Sequence, residues 1–301
     1  MEEFQRDLEK LYCWQDNHNM VFNGAKFENI RYGVNEDLKN TCDYLTPNAE
    51  DLIERKECVR DLGIQMNDKA DFKDHINLVC SKVNQKSGWI LRTFMRRTPS
   101  FMKFMWKTYI QGHIDYCSQL WQPLQPGLLQ RVEGLQQSFT KKIPQCSHLN
   151  YWERLIELKL NSQQRRLERY RIIYVWKILE GKVPNCGIKF DKNTIRGRMC
   201  HLPAVAKKAR QSVRTLREQT LQIHGSRLFN KLPFHIRNKT NCSVEDFKEK
   251  LDLFLMNIPD KPMVVGLTPS PCNMETGHAS NSLLEWIPLL FKDTRRYRRP
   301  G

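Results

Sequence analysis

Eighty consecutive residues, 161–240, hold 19 Lys+Arg against 4 Asp+Glu, a local balance of +15 in a 301-residue chain whose total is +16. Any fold must either spread those charges over its outside or meet them with counter-charge, because like charges held together oppose compaction. The rest of the chain does not share the excess: residues 1–60 come to −5, 61–160 to +6, and 241–301 balance. So concentrated a block reads as a phosphate-facing surface rather than a uniformly solubilised one. Arg165, Arg166, Arg169 and Arg171 fall within two turns of one helical stretch, followed by Lys207, Lys208 and Arg210 of AKKAR and by Arg214 and Arg217. Those side chains are the expected contacts to RNA, DNA or an RNA–DNA hybrid. Tyr170, Tyr174 and Trp176 offer stacking surfaces, although helical spacing suits them equally to a core.

Hydrophobic residues make up 40% of the chain and aromatic residues 10%, enough to build a core over about two domains. No uncharged apolar run approaches the ~20 residues a membrane-spanning helix needs, and no stretch joins a strong apolar face to a uniformly basic one, so no membrane partner is expected. MEEFQRDLEK lacks the basic-then-apolar start of a signal peptide. The ten cysteines then read as free thiols in a reducing compartment, nuclear or cytoplasmic.

Apolar spacing places the elements. Phe4, Leu8, Leu11 and Trp14 mark a helix over 2–19, and Asn23-Gly24 a turn. Short strands are expected up to Gly33, at Cys42–Leu45 and at Cys58–Gln65. From Asp71 the period becomes helical. Phe72, Ile76, Val79, Val83, Ile90 and Phe94 form one stripe to about Arg97, and Thr98-Pro99 starts a second helix carrying Met102, Met105, Tyr109 and Cys117 towards a core. Leu128, Val132, Leu135 and Phe139 mark a third. A fourth covers about 151–180, a last one surrounds Phe247, Leu251 and Phe254, and a loop-rich basic tail, expected to be disordered, occupies 259–301.

Much chemistry is missing. No phosphate-cradling glycine loop, His-Glu-x-x-His, Cys-x-x-Cys or GxSxG occurs. Cys186, Cys200, His201 and His224 have no compact metal-site spacing. His113 and Asp115, two apart on a helix, point to different faces and make no acid–base pair. Two-metal phosphoryl transfer needs clustered carboxylates, and there is no Asp-Asp dipeptide.

LYCWQDNHNMVFNGAKFENIRYG (11–33), VRDLGIQMNDKADFKDHI (59–76), TYIQGHIDYCSQLWQP (108–123), LLQRVEGLQQSFTKKI (128–143), GSRLFNKLP (225–233), FKEKLDLFL (247–255) and IPDKP (258–262) follow one another in order. Together they resemble the region after the catalytic motif in reverse transcriptases of jockey-like non-LTR retrotransposons. The resemblance implies an α+β, mainly helical chain: a residual palm edge with a β-hairpin over 1–68, a three-helix thumb over 69–145, and a basic mixed C-terminal domain over 146–258. It makes Lys26, with Asn23, the counterpart of a proton-donor position, and Leu62-Gly63 the primer-grip turn. The family's Tyr-x-Asp-Asp signature would lie upstream of Phe4. With it would go the magnesium ions of the complete enzyme, so Lys26 is expected to stand idle and this chain alone to need no cofactor and to incorporate no nucleotide. The alternative reading is a non-catalytic nucleic-acid-binding or interaction protein, or a translated remnant without a selected role.

Overall fold

The computed structural model describes residues 2–32, 53–190, 198–204, 211–264 and 281–296. It is mainly helical with two small β-pairings, broadly the α+β class expected. The chain divides into two units, Met1–His75 and Ile76–Gly301.

In the first unit, helix α1 spans Glu2–Asn17. Leu8 is buried, whereas Phe4, Leu11 and Trp14, expected on the same apolar face, are about half exposed. Tyr12, Phe22 and Phe27 form a ring cluster with centroids 5.5–6.0 Å apart. Strand β1 (Glu28–Asn29) pairs in parallel with β2 (Glu54–Arg55), while the strand expected at Cys42–Leu45 lies outside the described residues. Strands β3 (Cys58–Asp61) and β4 (Ile64–Asn67) form an antiparallel hairpin. Its two-residue turn has both centres left-handed, Leu62 at φ 45° and Gly63 at φ 87°. That is the backbone twist a two-residue hairpin favours, and only the glycine adopts it without strain. Asp71 Oδ1 then accepts from the Lys73 N–H at the start of α2 (Lys73–Thr93).

In the second unit the expected stripe of α2 is buried at Ile76, Val79, Val83 and Ile90. Helix α3 (Pro99–Met105) starts on the Thr98-Pro99 signal and runs through a π-turn, Trp106–Ile110, into α4 (Gln111–Asp115). Met105 is buried as expected, and one buried row, Met102, Trp106, Ile110 and Ile114, runs four apart each time. That step exceeds the 3.6-residue period, and the wider π-turn absorbs the excess. Tyr109 and Cys117, expected in the core, are therefore turned outward. Short α5 (Ser118–Trp121) and α6 (Pro126–Thr140) complete this part.

The expected single helix over 151–180 is two. Asn150 caps α7 (Tyr151–Glu157), Lys159 turns left-handed at φ 49°, and Ser162 caps α8 (Gln163–Leu179). After α8 come α9 (Gln211–Gln219), a second π-turn (Leu221–Gly225), α10 (Ser226–Lys231), α11 (Phe234–Arg237), α12 (Val244–Leu255) and α13 (Leu283–Arg296). Helix α8 is central, packing against α5, α6, α10 and α12. Its Ile172, Ile173, Val175, Trp176 and Ile178 join Leu228, Phe229, Phe247 and Leu251 in the main core. The expected boundary at 145/146 is absent, because α8 packs on α5 and α6 across it. Nor is the tail loop throughout, since Leu283 and Ile287 of α13 are fully buried in the same core.

The GSRLF stretch is a packing motif. A Cβ on Gly225 would come within 2.9 Å of Val175 Cγ2 on α8, so only glycine lets the π-turn lie this close. Leu228 and Phe229 fill the core, and Asn230 uses its side-chain amide to bond both the N–H and the C=O of Cys200.

Candidate nucleic-acid interface

The expected phosphate-facing row of α8 is not at the surface. Arg165 and Arg171 are 2% and 0% exposed. Arg165 donates to the carbonyls of Leu255, Ile258 and Pro259, the C-terminal end of α12, where a cation complements the helix dipole. Arg166 grips Asp115 with two nitrogens, at 3.0 and 2.7 Å, and Arg169 pairs with Asp252 of α12. These ion pairs are the counter-charge that lets so basic a helix enter a core. Around α8 the carboxylates work the same way. Glu133 of α6 accepts the Gln163 and Gln164 N–H groups at the start of α8, and Glu168 accepts the Leu283 N–H and Ser282 hydroxyl at the start of α13. Burial pushes Glu133 up to about 7, against the downward pull of the Tyr151 hydroxyl and those two N–H groups.

Of the remaining expected contacts, Arg217 is spent on the carbonyls of Pro203 and Ala204, and Arg214 is half-buried. Lys207, Lys208 and Arg210 lie outside the described residues. Trp176 is buried, stacked 4.4 Å from Phe247, while Tyr170 donates to Asp115 and half-buried Tyr174 packs on the core. In the first unit, Lys26 is exposed at the end of a 3-10 turn, and Leu62 is 83% exposed at the tip of its hairpin. Among the described residues no three His, Cys, Asp or Glu side chains gather where they could hold a metal ion.

A different surface has the required character. Between Asp74 and Asp115 the chain runs forty residues without an acid and carries seven Lys or Arg, a signal that block-wise charge counting conceals. On α2, Lys82, Lys86 and Trp89 recur at helical spacing, and the Arg92 guanidinium folds back over Gly88. The π-turn brings Tyr109 opposite, its ring 6.4 Å from Trp89, and both are 45% exposed. The ring contacts continue through Phe94 (6.1 Å from Trp89) to Phe101 (5.2 Å further). His113, one turn beyond Tyr109, is pushed below its usual pKa by burial and then by Lys86 and Lys82. Lys103 is likewise lowered by burial and by its neighbours Lys107 and Lys159. Cations here sit near cations, which holds the local potential positive.

No family model, curated protein or solved structure matches the chain. Among the described residues no helix is long and apolar enough to cross a membrane.

Proposed function

We propose that this chain binds nucleic acid through the strip around Trp89 and Tyr109, as the post-catalytic portion of a reverse transcriptase of the jockey-like kind its motifs resemble. The observation that carries the reading is an aromatic ridge set among cations in a segment that supplies no carboxylate for forty residues. Lys82, Lys86 and Arg92 would meet phosphates, and the half-exposed rings would meet bases or sugars. Phosphate contacts fix position rather than sequence, so binding should tolerate many sequences. Phosphoryl transfer would belong to the carboxylates and magnesium of a complete enzyme, and primer extension with this chain alone should incorporate nothing.

Fluorescence polarisation with a labelled RNA–DNA hybrid tests the binding. If Lys82, Lys86, Arg92, Lys103 and Lys107 each meet a phosphate, affinity falls about 500-fold between 50 and 200 mM salt. A nearly flat salt response removes the proposal. So does a Lys82→Glu/Lys86→Glu variant that binds like the unaltered protein.

A further inference from the structure

Among the described residues of the second unit four arginines are buried, and three of them bond through at least two of their nitrogens, Arg165 leaving only its Nε unpaired. Arg154 bonds Thr140 Oγ1 and the carbonyls of Leu149 and Gln137. Arg165 bonds three carbonyls as described, and Arg237 bonds those of Leu232 and Arg198. Arg171 is the exception. It is 0% exposed, and its Nε, Nη1 and Nη2 all lack a partner. A further orphan, Nδ1 of His224 in the second π-turn, lies on the segment packed against the same helix, and the hydroxyl of Ser226, at the start of α10, has only the weakly accepting Cys200 thiol beside it. Both residues are buried, at 5% and 0% exposure, and the Arg171 charge acts directly on His224.

Among the described residues no carboxylate pairs with Arg171. Glu168, one turn back on α8, is the carboxylate that bears on Arg171, but it is committed to the start of α13 and makes no ion pair with Arg171. Arg227, which also acts on His224, is held by Glu218. Burial lowers Arg171 only to about 10, so the guanidinium is charged at neutral pH. A buried, charged and unpartnered guanidinium is not a stable arrangement without compensation.

We propose that Arg171, with His224 and Ser226, holds a small monovalent anion of chloride size between α8 and the second π-turn. The ligand is monatomic because all three side chains are closed off from solvent, which leaves no open mouth for a phosphate group. Its hydrogen-bond partners are the guanidinium nitrogens, the imidazole N–H and the serine hydroxyl, all donors. The ion would stand where other proteins place a buried carboxylate, and would neutralise part of the +15 block from within.

Thermal melting of the full chain in sodium chloride, against sodium gluconate at matched ionic strength, is the first test. The expected result is a chloride-specific rise of about 2–4 °C between 10 and 300 mM, absent in Arg171→Met. Because that variant can fail to fold for its own reasons, crystals of the unaltered protein grown in sodium bromide provide the second. An anomalous peak within hydrogen-bond reach of Arg171 supports the site. Equal melting in the two salts overturns the proposal, and so does ordinary water density at that position without a bromide peak.

Discussion

Helix α8 and the strip formed by α2, the first π-turn and α4 are both rich in cations, and they use them in opposite ways. On α8 each arginine but Arg171 finds a partner that stands far away in sequence: Asp115 for Arg166, Asp252 for Arg169, the end of α12 for Arg165. On the strip, Lys82 and Lys86 crowd His113, and no acid occurs between Asp74 and Asp115. The difference teaches that positive charge marks an interface only where the fold leaves it uncompensated. Density alone pointed to a helix whose cations the fold pairs or buries.

The comparison breaks most visibly on the inner side. Arg165→Ala strips the carbonyls closing α12 of their donors, and should destabilise by about 3–5 kcal/mol in urea titration. Hybrid affinity of the folded fraction should stay unchanged. A variant that loses affinity without losing stability would move α8 back to the surface.

Glu133 sharpens the same point through pH. Its folded pKa of about 7 lies above the ordinary carboxylate value of 4.5, so the unfolded chain releases this proton first. Stability from this group is whole below about pH 4.5 and falls as pH rises to 7, by on the order of 3 kcal/mol. Glu133→Gln should flatten that fall in melts across the range. His224 runs the other way. Burial first, then the charges of Arg171 and Arg227, depress it to about 3, so its contribution is whole above about 6.5 and wanes as pH drops towards 3.

On the outer side, Lys82→Glu/Lys86→Glu should weaken hybrid binding about 30- to 100-fold, through lost and reversed phosphate contacts. Trp89→Ala should weaken it about 5- to 10-fold, the size of one stacking contact. Neither should move the melting temperature appreciably, since these side chains reach solvent. If Trp89→Ala melts early and binds normally, the ridge is packing and not interface.

The smallest effect belongs to the hairpin of the first unit. Leu62 holds φ 45°, a left-handed conformation that asparagine tolerates better than leucine. Leu62→Asn should stabilise by about 0.5–1 kcal/mol. Strain kept at an exposed tip is what a contacting turn would show, so the same variant should also be titrated with hybrid.

Local signals carried much of the fold. The stripe from Ile76 to Ile90, the Thr98-Pro99 start, the stripe of α6 and the Leu62-Gly63 turn could all be read because helix period, proline and glycine act within a few residues. What could not be read lay where distant groups decide. Tyr109 left the core because a π-turn shifted its register, and α13 was hidden in a stretch that looks like loop until Glu168, far back in the chain, caps it. Nothing near Arg165 or Arg171 in sequence announces that these two positions of α8 are buried.

From its sequence alone, then, this protein's helix periods, its turns and the total of its charge were settled, since each depends on residues a few positions apart. Which charges face water was settled only by packing. A guanidinium lies inward or outward according to whether a carboxylate or carbonyl some 50 to 90 residues away arrives beside it, and only the folded chain brings them together.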